Sequence, residues 1–205
     1  MEYILINIKD LIFTLPNLIP IQKCDQYINF FKKNEKQAGK EKSKKYYKNK
    51  VFKHTDNFDA LQISKRLNEF PEWKNIHDEL LYYINSIVLN YENYLKINVS
   101  PAIVSEYMSS TSNIRILRYK PGNEIKDHLD IGYGNTRASV SIALNDNYEG
   151  GEFTFFSNRH KIMLKKGMGM IFPAEQIWIH GVTPVTKGER YSINCFLKPN
   201  SNYGN

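Results

Sequence analysis

The hydrophobic period of the chain changes once. Up to Leu95 the apolar residues recur mainly at three and four, and from Ile114 onward they recur at two. Cys24, Tyr27, Ile28 and Phe31 share one face of a segment that follows Pro20, which predicts a helix over Ile21–Asn34. A longer stripe runs through Ile76, Leu80, Tyr83, Ile84, Ile87, Val88, Tyr91 and Leu95. It opens at Pro71-Glu72-Trp73, where proline suits a first helical turn. The isoleucine-rich stretch Tyr3–Ile8 and then Ile12–Leu15 read as strands. Leu61–Asn68 reads as a short helical piece, and Ile103–Met108 as a strand within the Asn98–Ser112 connection.

In the second half, strands are predicted at Ile114–Tyr119, around His128, and at Ala138–Leu144, Phe153–Ser157, Lys161–Lys165, Gly169–Phe172, His180–Val185 and Tyr191–Leu197. Turn residues separate them: Pro121-Gly122, Gly132-Tyr133-Gly134-Asn135, Asn145-Asp146-Asn147, Gly150-Gly151 and Lys187-Gly188. Short strands in this rhythm predict an α+β, mainly β fold, a two-sheet jelly roll with the N-terminal helices packed outside one sheet. With 205 residues the chain reads as a single domain, in which 1–112 is a helical and β support and 113–198 the jelly-roll core.

Composition changes this picture little. A hydrophobic share of 41% and an aromatic share of 13% suffice for a core. Cys24 and Cys195 lie far apart, with no metal spacing and no disulfide framework, which favours a reducing, cytoplasmic setting. The first twenty residues are broken by Lys9, Asp10, Pro16 and Pro20, so no signal peptide is expected, and no apolar run reaches membrane-spanning length. The net charge of +7 is concentrated between Lys32 and Lys53, where ten lysines face only Glu35 and Glu41. That run reads as a solvated, mobile loop, with an electrostatic contact to nucleic acid or an acidic protein as the alternative. Tyr46, Tyr47 and Phe52 in the run can stack on a base or anchor the segment to the core.

The chemistry concentrates between Arg118 and Ile193. His128 and Asp130 lie two apart, a spacing that puts both side chains on one face of a strand. His180 completes a set of two imidazoles and one carboxylate, which occupies one face of an octahedral iron(II) and leaves the other positions open. Asp127 is the rival carboxylate, disfavoured because a neighbour of His128 faces away from it. His54, His77 and His160 have no partner at ligand spacing. Arg190 and Ser192 share a strand face, and an arginine fork with a hydroxyl beside it suits a carboxylate. Lys187 is the second basic residue nearby, and Trp178 can line a pocket mouth or simply pack. Gly150-Gly151 is followed by no Lys-Ser or Lys-Thr and so reads as a turn or bulge rather than a phosphate loop.

These motifs occur in a telling order: Arg118-Tyr119-x-Pro121-Gly122, His128-x-Asp130, the run Ser139 to Asn145-Asp146-x-x-x-Gly150-Gly151-Glu152-Phe153, Gly167 to Phe172-Pro173, and His180-x-Val182-x-Pro184-Val185-x-x-Gly188-x-Arg190-Tyr191-Ser192-Ile193. Together they resemble the catalytic core of the iron(II)- and 2-oxoglutarate-dependent dioxygenases, and most of all the prolyl-4-hydroxylase-like branch. The resemblance implies a double-stranded β-helix fold. It implies that His128, Asp130 and His180 hold iron, and that Arg190, Ser192 and Tyr119 bind 2-oxoglutarate. Dioxygen is the further co-substrate, and ascorbate an optional reductant. The implied reaction is hydroxylation of an unactivated C–H bond, first of all of a prolyl residue in a peptide or protein. Animal and plant prolyl-4-hydroxylases usually carry lysine where this chain has Arg190, and the arginine form is shared with many other 2-oxoglutarate enzymes. Two alternatives therefore stand beside the peptidyl hydroxylase. One is an oxygenase acting on nucleic acid or a free small molecule, and the other a non-catalytic sugar- or peptide-binding jelly roll.

Overall fold

A computed structural model describes residues 7–47, 50–103, 105–131 and 135–200, and for 40–47, 50–57 and 105–106 the backbone alone. In chain order its regular elements are β1 (Phe13–Leu15), α1 (Ile21–Lys33), β2 (Gly39–Tyr47), β3 (Lys50–Gln62), α2 (Lys74–Asn98), β4 (Ser110–Tyr119), β5 (Ile125–His128), β6 (Ala138–Ala143), β7 (Glu149–Gly150), β8 (Phe153–Phe155), β9 (His160–Ile162), β10 (Gly169–Pro173), β11 (His180–Val182), β12 (Val185–Lys187) and β13 (Arg190–Lys198). The large sheet has the order β1-β10-β6-β13-β4-β3-β2, and the small one β5-β11-β8-β9. All their pairings are antiparallel. Four central strands of the large sheet and the four of the small one make the expected jelly roll, while β12 and β7 form a separate two-stranded ladder.

The period of two sorts each central strand into two faces, and both faces are buried. On β13, Tyr191, Ile193, Cys195 and Leu197 pack into a core shared with the helices. The alternate residues Ser192, Asn194 and Phe196 line a cavity between the sheets. On β4 the same sorting sends Ile114 and Ile116 toward the helices, and Arg115, Leu117 and Tyr119 toward the cavity. The helices supply Cys24, Tyr27 and Phe31 from α1, and Leu80, Ile84, Ile87, Tyr91 and Leu95 from α2, the stripe read in the sequence. A smaller apolar cluster, with Phe153, Phe155, Met170 and Phe172, closes the space between the sheets.

Arg118 ties three elements together. Its side chain is 7% exposed and bonds Asp59 on β3 at 2.6 Å and Glu35, just past α1, at 2.7 Å. It also lies 5.2 Å from the Phe31 ring centre. Burial by itself disfavours the arginine's charge, but the two carboxylates outweigh it and raise its pKa.

Four local expectations are revised. The lysine-rich stretch is not a loop: β2 runs antiparallel to β3 as the outermost strand of the large sheet. Composition alone missed this because an edge strand need not feed a core, and lysines on such an edge discourage pairing with another chain. Leu61–Asn68 is divided, since β3 continues to Gln62 and only Ser64–Arg66 forms a 3-10 turn. The predicted strand at Ile103–Met108 is instead a 3-10 turn at Ser105–Met108. Ile8 opens a 3-10 turn, Ile8–Leu11, and the rest of the Tyr3–Ile8 reading falls mainly outside the described residues. Strands β1 and β3 come from the N-terminal half yet join the same sheet as β4 and β13. No helix among the described residues is long and apolar enough to cross a membrane.

The stripe on α2 makes opposite claims for two leucines. Leu80 is fully buried, and Leu80→Ala is expected to lower stability by about 2–5 kcal/mol. Leu89 is 59% exposed, and Leu89→Ala should change stability by less than about 0.5 kcal/mol. Urea denaturation midpoints of the two variants check this, and similar losses for both would refute the assigned helix face.

Candidate active site

Two strands of the small sheet bring the first three residues together. His180 on β11 is the cross-strand partner of His128 on β5. Their ring centres are 4.3 Å apart. Gly181 allows this approach, since a Cβ there would lie 2.7 Å from the Ile125 carbonyl oxygen on β5. Asp130 does not stand on the strand as its spacing suggests. It lies two residues past the end of β5, at a bend, and is buried there. The bend, rather than the pleat, turns its carboxylate toward both imidazoles. The rival Asp127 is exposed.

Hydrogen bonds orient all three groups. Nδ1 of His128 lies 2.9 Å from the Lys126 carbonyl, and Nδ1 of His180 lies 2.9 Å from the Trp178 carbonyl. Carbonyls only accept, so each Nδ1 carries the proton and each Nε2 presents its lone pair. The two Nε2 atoms face Asp130, at 3.3 Å from Oδ1 for His128 and 3.3 Å from Oδ2 for His180. Ser139 on β6, which opens the Ser139–Asn145 run of the family motif but has no role legible there, donates to Asp130 Oδ2 at 2.5 Å. Two lone pairs and a buried carboxylate pointing at one spot repel unless a cation lies between them. One ligand atom from each residue falls within 4.8 Å of the others, so the set fits a single metal ion. Its nitrogen and oxygen donors, with no sulfur, suit iron(II). Burial raises the Asp130 carboxyl, yet without a cation the two imidazoles, when protonated on Nε2, outweigh it and hold its pKa well below the usual carboxylate range.

Arg190 opens β13 as the cross-strand partner of Tyr119. It is 2% exposed, and its guanidinium lies between the rings of Tyr119 and Phe153, at 4.7 and 5.0 Å from their centres. Nη1 donates to Ser192 Oγ at 3.0 Å, while Nε is buried with no hydrogen-bond partner. Among the described residues no carboxylate pairs with it. Gly151 makes room for this arginine. Its φ is +65°, and a Cβ there would sit 2.9 Å from Arg190 Cδ. The Gly-Gly pair thus has a packing role that the sequence alone does not reveal.

The remaining candidates lie elsewhere. Lys187 is exposed and pairs with Glu149 at 3.0 Å. Trp178 is buried against Phe156, so it packs rather than lining a mouth. His77 is paired with Asp78 on the surface of α2, and His160 lies on β9 outside the metal-ligating set. The side chain of His54 is outside the described residues. Both cysteines are buried and free.

Residues 114–198 match the family described as the 2OG-Fe(II) oxygenase superfamily. A PKHD-type hydroxylase of Nitrosomonas europaea is 28% identical over 136 residues, which cover 62% of this chain and 55% of that protein. A PKHD-type hydroxylase of Azoarcus sp. is 34% identical over 83 residues, 38% of this chain and 35% of that protein. The chain thus spans about half or less of these curated relatives. Among solved structures, the viral collagen prolyl hydroxylase of Paramecium Bursaria Chlorella virus-1, in its 2OG complex, superposes with a TM-score of 0.59. Identity there is 18%, over 93% of this chain and 97% of that one. A Trichoplax adhaerens prolyl hydroxylase, in complex with a hypoxia inducible factor peptide, gives a TM-score of 0.64 at 14% identity, over 93% and 84%. Residues 114–198 thus match the 2OG-Fe(II) oxygenase superfamily model, and the chain has the fold seen in solved prolyl hydroxylases.

Proposed function

We propose that the protein is an iron(II)- and 2-oxoglutarate-dependent hydroxylase whose substrate is a prolyl residue in a peptide or protein. The observation that carries this reading is the buried guanidinium of Arg190, which has a serine hydroxyl beside it and no carboxylate among the described residues. A buried unpaired charge is strongly destabilising, so the site calls for an anion from outside the chain. 2-Oxoglutarate supplies a carboxylate at its far end, while its oxo acid end suits the metal held by His128, Asp130 and His180. Iron, with dioxygen and this co-substrate, supplies the oxidising power for an unactivated C–H bond. The chain supplies position: the two Nδ1 anchors hold the imidazoles, Ser139 holds the carboxylate, and Arg190 with Ser192 orients the co-substrate. Tyr119, stacked on the Arg190 guanidinium, forms the wall behind that carboxylate. Ascorbate would be an optional reductant for that iron.

The prolyl peptide is favoured by the solved neighbours, two of which are prolyl hydroxylases by name, one of them with a peptide bound. A succinate-release assay with proline peptides, single-stranded DNA and free amino acids in parallel tests the reading. Release coupled to gain of one oxygen atom by a peptide supports it, and coupling only to nucleic acid or amino acid overturns the substrate.

His180→Ala and Asp130→Ala should each abolish iron(II) binding and turnover while far-UV circular dichroism stays that of the parent. Full activity in either variant would remove the metal assignment. Ser139→Ala should weaken iron(II) about 10–100-fold, as loss of a ligand's hydrogen-bonded support does, which a competitive metal titration measures.

Losing a desolvated guanidinium–carboxylate pair costs roughly 2–5 kcal/mol. Arg190→Ala should therefore raise the 2-oxoglutarate concentration for half-maximal succinate release by about 30-fold or more. Arg190→Lys should fall between the two, since lysine keeps the charge and loses the fork. Unchanged dependence in Arg190→Ala would move the anchor to another residue.

A further inference from the structure

Arg190 stands where its strand is least supported. It is the first residue of β13, and there it pairs with Tyr119 of β4 on one side. On the other side the ladder with β6 begins only at Ser192, opposite Ala143, the last residue of β6. Successive residues of a strand send their N–H and C=O groups to opposite edges. Glu189 and Tyr191 therefore face the edge that β6 has left. Leu144 still donates its N–H to the Tyr191 carbonyl, at 3.0 Å.

The side chain of Asn145 takes the place of the missing strand. Its Oδ1 accepts from the Tyr191 N–H at 2.7 Å, and its Nδ2 donates to the Glu189 carbonyl at 2.7 Å. Nδ2 also donates to Asn147 Oδ1 at 2.7 Å. A donor on one side and an acceptor on the other leave the amide a single orientation. Gly188 brings the turn close enough for this, since its φ is +77° and a Cβ there would lie 3.1 Å from the Asn147 carbonyl oxygen. One buried side chain thus grips the residue before Arg190 and the residue after it. Aspartate would lose the donor, and alanine both bonds.

That grip fixes the direction in which Arg190 leaves the backbone. The guanidinium must enter a slot between the rings of Tyr119 and Phe153, with Cδ over Gly151. A fork that makes two parallel bonds to a carboxylate tolerates little displacement. Asn145 itself is not among the residues that line the cavity.

We propose that Asn145 is a positioning residue for 2-oxoglutarate, which sets the affinity of the co-substrate by holding Arg190 without touching co-substrate or metal. The inference rests on the reading of Arg190 as the anchor of the far carboxylate.

Calorimetric titration of 2-oxoglutarate into the manganese(II)-loaded protein, which binds without turning over, tests it. In N145A the Kd should rise about tenfold, as displacement of an oriented group does. N145D should fall between, because it keeps the acceptor for Tyr191. In an R190A background, N145A should add about twofold or less, since residues that act through one another are not additive. L80A weakens the remote core and should shift the Kd by about twofold or less. Unchanged Kd in N145A, or in N145D where N145A does not fold, overturns the role of Asn145. Equal losses in L80A and N145A, or additive losses in the double variant, overturn it too. A manganese(II) affinity that falls in step with the 2-oxoglutarate affinity in N145A overturns it as well, because the whole site has then loosened. Failure of the parent to bind 2-oxoglutarate, or an unchanged Kd in R190A, overturns the reading beneath and this inference with it.

Discussion

The burial of both faces of the large sheet constrains everything else. Helices α1 and α2 cover one face with Tyr27, Phe31, Leu80, Ile84 and Ile87, all fully buried. Each such side chain contributes roughly 1.5–3 kcal/mol of burial, so the outward residues of β4, β6, β10 and β13 are held there firmly. The pleat then leaves the alternate residues no choice but to point between the sheets. A one-residue slip of β13 would turn Arg190 and Ser192 toward the helices and Tyr191 and Ile193 into the cavity. The polar site is therefore a consequence of the apolar packing behind it.

Inside that cavity the charges are held apart, and each meets a different need. Asp130 and the two imidazoles form a negative, electron-rich point that calls for a cation. Arg190, walled by Tyr119 and Phe153, calls for an anion. These needs do not satisfy one another within the chain. A cavity that is electrostatically incomplete at two points binds its missing partners strongly, because the alternative is a buried charge without compensation. Contrast Arg118, equally buried but closed off by Asp59 and Glu35, which does structural work between α1, β3 and β4.

The primary sequence determined the parts whose signal is local. The helical stripe of α2, the period of two after Ile114 and the turn residues between strands follow from which side chains can be buried on a helix or a pleat, so fold class and most strands were legible. The order of His128, Asp130, His180, Arg190 and Ser192 was legible through the family motif that they compose. Tertiary structure decided what depends on residues far apart in the chain. The bend that turns Asp130 toward His180, the hydroxyl of Ser139 behind it, and the space that Gly151 leaves for Arg190 are all contacts between separate strands. No local pattern carries them. The lysine-rich stretch shows the same limit from the other side: its composition describes how its side chains meet water, but whether its backbone forms a strand is decided by the hydrogen-bonding edge that β3 offers it.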